Sequence, residues 1–213
     1  MDLIEAFKAL TTDQHQLIPL LQTGGLILII AIVYAENGLF FGFFLPGDYL
    51  LFVTGILCNG DKLGYNYFTV ASMITAAAIL GNFTGYYFGK YVGKGLFKKK
   101  DSFFFKQEYL VKTRMYFMKF GGNTLIISKF LPYVRTFSPI LAGAVEMDIK
   151  KFSRYSIIGC ILWGYGLIFI GYFLGIIYPD IIHYVHYIIL AFLVITTSVV
   201  VSGFFRVKKK IKT

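Results

Sequence analysis

The sequence predicts an all-α integral membrane protein built as an inverted repeat, in which a re-entrant hairpin followed by a transmembrane helix occurs twice. Three observations predict it. Hydrophobic residues make up 57% of the 213 and aromatic residues 19%, with a mean hydropathy of +0.67, so a lipid bilayer rather than water is the main solvent. The apolar runs are of two kinds, some long enough to cross a hydrocarbon core of roughly 30 Å and some broken halfway by Gly, Pro and charges. The basic residues fall in blocks between those runs: nine Lys or Arg from Lys90 to Lys119, then Lys150, Lys151 and Arg154, then five from Arg206 to Lys212. By the positive-inside rule all three blocks face the cytoplasm, which puts the C-terminus there. The formal net charge of +10 is then a record of membrane orientation, and no nucleic-acid partner is expected.

No Ser-rich or Pro-rich linker divides the chain, so residues 1–213 are expected to form a single membrane domain. Residues 1–23 open with Leu3, Ile4, Phe7 and Leu10 alternating with Asp2, Glu5 and Lys8, an amphipathic segment without the basic start of a secretory signal. Residues 24–58 form the first re-entrant hairpin. Gly24 to Ala35 is about half a bilayer long before Glu36-Asn37-Gly38 interrupts it, and Leu39 to Leu45 is cut short by Pro46-Gly47-Asp48. One ordinary span bearing a buried charge pair is the alternative there. Residues 68–91 cross the membrane and deliver Lys90 to the cytoplasm. Residues 101–120 form an amphipathic cytoplasmic helix, with Glu108, Lys112 and Lys119 on one side and Tyr109, Leu110, Tyr116 and Phe117 on the other. Residues 121–145 repeat the broken pattern with Lys129, Pro132, Arg135 and Pro139, and both ends join cytoplasmic segments. Residues 152–178 return to the outer side, and residues 184–205 bring Arg206 back.

Non-helical backbone at membrane depth is tolerated only where protein or a water-filled cavity satisfies it, so two broken hairpins imply a shared polar interior. A hairpin and a spanning helix occurring twice in opposite orientation is also the pattern of transporters whose site lies near the midplane.

A charge at the centre of a membrane helix costs roughly 2.5–3.5 kcal/mol even on the lenient insertion scale. Glu36, Asp48, Lys129 and Arg135 each therefore call for a partner or a job. Two acids in one hairpin and two bases in the other neutralise one another across the repeat interface, and structural pairing alone is the competing reading. Lys129 and Arg135 are six positions apart, on different faces of a continuous helix. A break at Pro132 lets them converge, with Thr136 and Ser138 adding hydroxyls. Such a cluster suits a phosphate, Arg offering a bidentate fork and Lys a compact point charge. Desolvation disfavours the charged form of a carboxylate, which equips Glu36 and Asp48 to exchange protons.

Gly81, Gly85, Gly89 and Gly93 recur every four residues beside Asn82 and Tyr86, a ridge for close helix packing, although Asn82 is also placed to face the polar interior. Trp163, Tyr178 and Tyr184 are read as packing or interfacial anchors. Cys58 and Cys160 are far apart in apolar surroundings and lack metal-site spacing, so no metal or cofactor is expected.

Together these residues resemble the DedA family, also called the SNARE-associated or VTT-domain family, of bacterial membrane proteins. The matching motifs are Glu36-x-Gly38 with Pro46-Gly47-Asp48, Gly81-Asn82-x-x-Gly85-Tyr86-x-x-Gly89, and Phe130-x-Pro132-x-x-Arg135-x-x-x-Pro139-x-x-Ala142-Gly143. The resemblance implies two opposed re-entrant hairpins, a bacterial cytoplasmic (inner) membrane location, and dependence on the proton motive force. It also implies functional roles for Glu36, Asp48 and Arg135. The other motif positions, Gly38, Pro46, Gly47, Asn82, Tyr86, Pro132 and Pro139, are assigned to the pathway or its packing. Lys129 stands where many relatives carry a second arginine, so a point charge replaces the fork there.

The expected function is a lipid transporter, a flippase moving an anionic lipid phosphate with undecaprenyl phosphate the leading candidate, coupled to the proton motive force. A passive phospholipid scramblase is the alternative, followed by an enzyme acting on lipid phosphates or a structural membrane protein. An enzyme is disfavoured because Ser153-Arg154 begins a phosphatase-like pattern in which Cys160 occupies the histidine position. The expected partners are polyprenyl phosphate or phospholipid and protons, with self-association of the chain allowed.

Overall fold

A computed structural model describes residues 25–39, 42, 47–59, 65–96, 121–131, 134–178 and 187, with the side chains of 93–96 left aside. The expected amphipathic segments at 1–23 and 101–120, the last transmembrane helix at 184–205 apart from Tyr187, and Pro46 and Pro132 lie outside the described residues. Six helices are described: α1 Leu26–Gly38, α2 Gly47–Leu57, α3 Tyr67–Leu96, α4 Asn123–Ser128, α5 Val134–Ala144 and α6 Ile149–Ile177. The described chain is helical throughout, and it belongs to the all-α membrane class.

Length divides the helices into two kinds. α3 and α6 have 30 and 29 residues, about 45 and 43 Å at 1.5 Å per residue, and both are apolar enough to cross a membrane. α6 starts where the Asp148 carboxylate accepts a hydrogen bond from the Lys151 amide at 2.9 Å, an N-cap that satisfies one orphan donor of the first turn. α1, α2 and α5 have 13, 11 and 11 residues, roughly 16–20 Å, which is too short to span. α2 is apolar all round because nearly every residue from Gly47 to Leu57 is buried. Pro139 lies inside α5 and has no N–H to offer the carbonyl of Arg135 four residues earlier.

The short helices lie end to end beside the long ones. Along α3, Gly81 approaches Tyr34 and Gly38 of α1, Gly85 lies against both Asn37 and Pro139, and Gly89 abuts the carbonyl of Ile140 in α5. Gly143 of α5 rests on the Tyr86 carbonyl. Along α6, Gly122 meets Tyr155 and Gly159 meets Leu125, Ile126 and Lys129, the α4 region, while Gly55 meets Ile168, Gly171 meets Phe52 and Gly175 meets Ile56. So α1 and α5 follow the direction of α3, and α4 and α2 follow that of α6. The glycine ridge on α3 is the close-packing face expected from its spacing, and such seams replace the hydrophobic drive that lipid does not provide between helices.

The larger core draws on α1, α2, α3 and α6, from Leu26, Ile29 and Val33 through Leu50, Leu51 and Val53 to Ile74 and Ile168. A smaller core joins Tyr86, Leu125, Ala142 and Phe152. Each repeat's first short helix packs on its own long helix, and its second packs on the long helix of the other repeat. Exchanging α1–α3 with α4–α6 leaves that pattern unchanged.

Candidate functional site

The broken ends meet in the middle. Trp163 is the central residue of α6 and Asn82 lies at the centre of α3, so the groups around them are roughly 20 Å from either end of both long helices. Glu36 and Asn37 come from the last turn of α1, Asp48 from the first turn of α2, Lys129 from the residue after α4, and Arg135 from the first turn of α5. Among the described elements, all six helices therefore converge on one buried polar cluster.

Arg135 joins both acids. Its Nη2 donates to Glu36 Oε1 and its Nη1 donates to Asp48 Oδ1, forming two ion pairs. Asp48 Oδ1 also accepts from Trp163 Nε1 at 2.8 Å. The indole ring lies 5.2 Å from Arg135 Cζ and 5.7 Å from Lys129 Nζ, within reach of a cation–π attraction. The two cations thus converge on one aromatic ring. The side chain of Glu36 is 1% exposed and that of Asp48 24%, so Asp48 is the more accessible of the two acids. Gly47 gives the Glu36 carboxylate its space, because a Cβ there would collide with Oε2. Oε2 is buried without a hydrogen-bond partner among the described residues.

Lys129 is held differently, and this corrects the expectation that each base meets an acid. Its Nζ donates to Asn37 Oδ1 at 2.6 Å and to Asn82 Oδ1 at 2.8 Å. Asn37 is anchored by Nδ2 on the Val33 carbonyl at 2.8 Å. Asn82 donates from Nδ2 to Ser156 Oγ at 2.7 Å and approaches Cys160 Sγ at 3.2 Å. The physical reason lies in α1: consecutive residues point about 100° apart, so Glu36 reaches Arg135 while Asn37 reaches Lys129. Lys129 is 2% exposed, and the two amide oxygens are what its ammonium group meets.

Among the described residues, the other expected positions lie as follows. Gly38 stands against Gly81, where an added Cβ would be 2.9 Å from the Gly81 carbonyl oxygen. Tyr86 stacks on Phe152 at 4.4 Å and donates to the Met147 carbonyl at 2.5 Å, a packing position in the smaller core. Thr136, Ser138 and Pro139 are buried on α5, and Thr136 Oγ1 has no hydrogen-bond partner among the described residues. Three groups escaped sequence reasoning: Asn37, Ser156 and Trp163. Trp163 had a usable signal, because interfacial tryptophans sit at the ends of spanning helices and this one is central.

Chemically, the Arg135 guanidinium is shared by two carboxylates, which would compete with any other anion for it. The N-termini of α2 and α5 both point into the cluster, and helix N-termini favour negative charge.

Comparison with known proteins gives a VTT domain matching residues 45–173. That range includes Asp48, Asn82, Lys129, Arg135 and Trp163. The chain is 39% identical over 146 residues to an uncharacterized membrane protein of Mycobacterium leprae, covering 68% of this chain and 64% of that protein. It is 38% identical over 150 residues to the protein DedA of Escherichia coli, covering 70% and 68%, and 30% identical over 148 residues to the Escherichia coli inner membrane protein YqjA, covering 70% and 66%. The match spans just under two thirds of the length of the mycobacterial relative. No solved structure gives a significant match.

Proposed function

Since the chain belongs to the DedA family of VTT-domain membrane proteins, we propose that it carries an anionic lipid phosphate across the bacterial inner membrane in exchange with protons. Arg135 binds the phosphate, Lys129 adds a second positive charge beside it, and Glu36 and Asp48 compete with the phosphate for Arg135. Undecaprenyl phosphate is the leading cargo. Transport, rather than chemistry on the lipid, is the function this reading assigns.

The observation that carries the proposal is the Arg135 fork, shared by two carboxylates at the midpoint of the spanning helices. Protonating either acid lowers the competition for the fork and favours loading; losing the proton restores the ion pair and expels the phosphate. Two further features support it. Short helices whose N-termini aim at a midplane site are how transporters of inverted-repeat architecture hold anionic groups. The end-to-end arrangement of α1 with α5 and of α4 with α2 supports two re-entrant hairpins, one entering from the outer side and one from the cytoplasm. The inner-membrane location draws on the named location of YqjA and on the basic blocks, which also support a cytoplasmic C-terminus.

The test is reconstitution into liposomes with labelled lipids. Arg135→Ala should abolish gradient-driven uptake of the lipid phosphate, and Arg135→Lys should recover little of it, because a point charge cannot reproduce the fork. Uptake equal to wild type in Arg135→Ala rules the proposal out. Lipid movement that survives without any gradient dependence in the wild type favours a passive scramblase.

A further inference from the structure

A recess of about 430 Å³ opens on the outside of the helix bundle near the start of α6, lined by Phe83 of α3 and by Ile149, Lys150, Ser153, Arg154 and Ile157 of α6. Neither the buried cluster nor the proton exchange uses it. Its lining is divided by chemistry, with two cations and a hydroxyl beside three apolar side chains. Lys150 and Arg154 are exposed, and neither is among the ion pairs of the described residues. They are four positions apart, hence neighbours on one strip of the helix.

Depth matches this division. Phe83 lies sixteen residues beyond Tyr67, the start of α3, or about 24 Å along a helix that must cross a core of roughly 30 Å. With Tyr67 at the outer boundary it therefore lies at acyl level, in the cytoplasmic half of the core. Lys150 and Arg154 occupy the first two turns of α6, in a block that the positive-inside rule assigns to the cytoplasm. Cations at head-group level above Phe83 and Ile157 at acyl level fit an anionic amphiphile and not a free ion, and basic recesses between spanning helices on this side are where anionic lipid head groups bind.

We propose that this recess docks an anionic phospholipid of the inner leaflet. Lys150 and Arg154 hold its phosphate, Ser153 adds a hydroxyl hydrogen bond, Phe83 and Ile157 take the first methylenes of its chains, and Ile149 packs beside the head group. The recess lies on the outer side of the α3–α6 seam whose inner side holds Lys129, since Phe83 follows Asn82, and Ser153 and Ile157 flank Ser156, the partner of Asn82. In the transport reading the docked lipid is cargo at its loading station, and only that role rests on the reading.

The test uses the full chain in nanodiscs of phosphatidylcholine containing phosphatidylglycerol, with retained lipid counted by native mass spectrometry. The wild type should retain phosphatidylglycerol in preference to phosphatidylcholine. Combining Lys150→Gln with Arg154→Gln should weaken that retention about thirty-fold, as expected for two lost basic residues at a membrane surface. Lys151→Gln, at an exposed position that does not line the recess, should change it much less. Arg135→Ala should leave it intact. No preference in the wild type, or equal retention in the double variant, overturns the docking site. Loss of retention in Arg135→Ala overturns it too, by placing the lipid at the buried cluster. Failure of the transport reading shows separately, as unchanged uptake in Arg135→Ala with the lipid still retained.

Discussion

Arg135 is where the two acids meet, and Glu36 and Asp48 hold it under unequal conditions. Glu36 is sealed, with one carboxylate oxygen on Arg135 and the other unpartnered beside Gly47, whereas Asp48 is partly exposed and steadied by the Trp163 indole. Glu36→Gln and Asp48→Asn fix a neutral side chain in each place, so both variants should still bind the lipid phosphate. The factor by which lowering pH raises lipid affinity, about 5–150-fold for a typical coupling free energy, should shrink in each variant and collapse to near one when the two are combined, and gradient-driven uptake should fall with it. Lipid affinity measured across pH checks this; a full wild-type pH response in both variants removes proton exchange from the mechanism. All four charged side chains were visible in the sequence, since each stood inside an apolar run. Their pairing was not. Counting 100° per residue holds only within one helix, and breaks at Leu39 and around Pro132 separate the segments that carry the partners.

Small residues set how closely the elements approach. Gly89 abuts the Ile140 carbonyl in the α3–α5 seam, while nothing lies within 4 Å of the position a Cβ would take at Gly166 of α6. Gly89→Val should destabilise the protein by about 1–3 kcal/mol or more, because overpacking here pushes on backbone and not on a flexible side chain. Gly166→Ala should stabilise it by about 0.5–1 kcal/mol through reduced chain entropy. Denaturant unfolding in detergent measures both, and equal stability of the two variants contradicts the seam. The α3 ridge was legible from its four-residue spacing. The matching seam of Gly55, Gly171 and Gly175 between α2 and α6 was only half legible: Gly171 and Gly175 keep the four-residue spacing on α6, but Gly55 stands on α2 more than a hundred positions away.

At the scale of the whole molecule, the two long described helices were legible from run length, and the short ones from the interruptions between them. How the short helices lie against the long ones was not, because an apolar half-helix buried all round, such as α2, carries no directional pattern. The end of α2 can be followed directly: Asn59 donates to the Gly175 carbonyl at 2.8 Å, which sets the end of α2 level with the end of α6. With Cys58 and Cys160 replaced, single cysteines introduced before Gly24 and after Leu57 should both be labelled from outside the cell, and one at Gly121 from the cytoplasmic side. Labelling of the first two sites from opposite faces rules out the hairpin and restores one continuous span. The exchange of second short helices between repeats also bears on biogenesis. When α2 leaves the ribosome, its packing partner α6 has not been made, and about a hundred residues must follow, a delay of roughly 5–20 s at ordinary rates of synthesis. During that interval Glu36 and Asp48 sit in the membrane without Arg135. The nascent first half therefore depends on the insertion machinery to shelter it, and a chain cut between the repeats should recover its fold only when both pieces are made in the same cell.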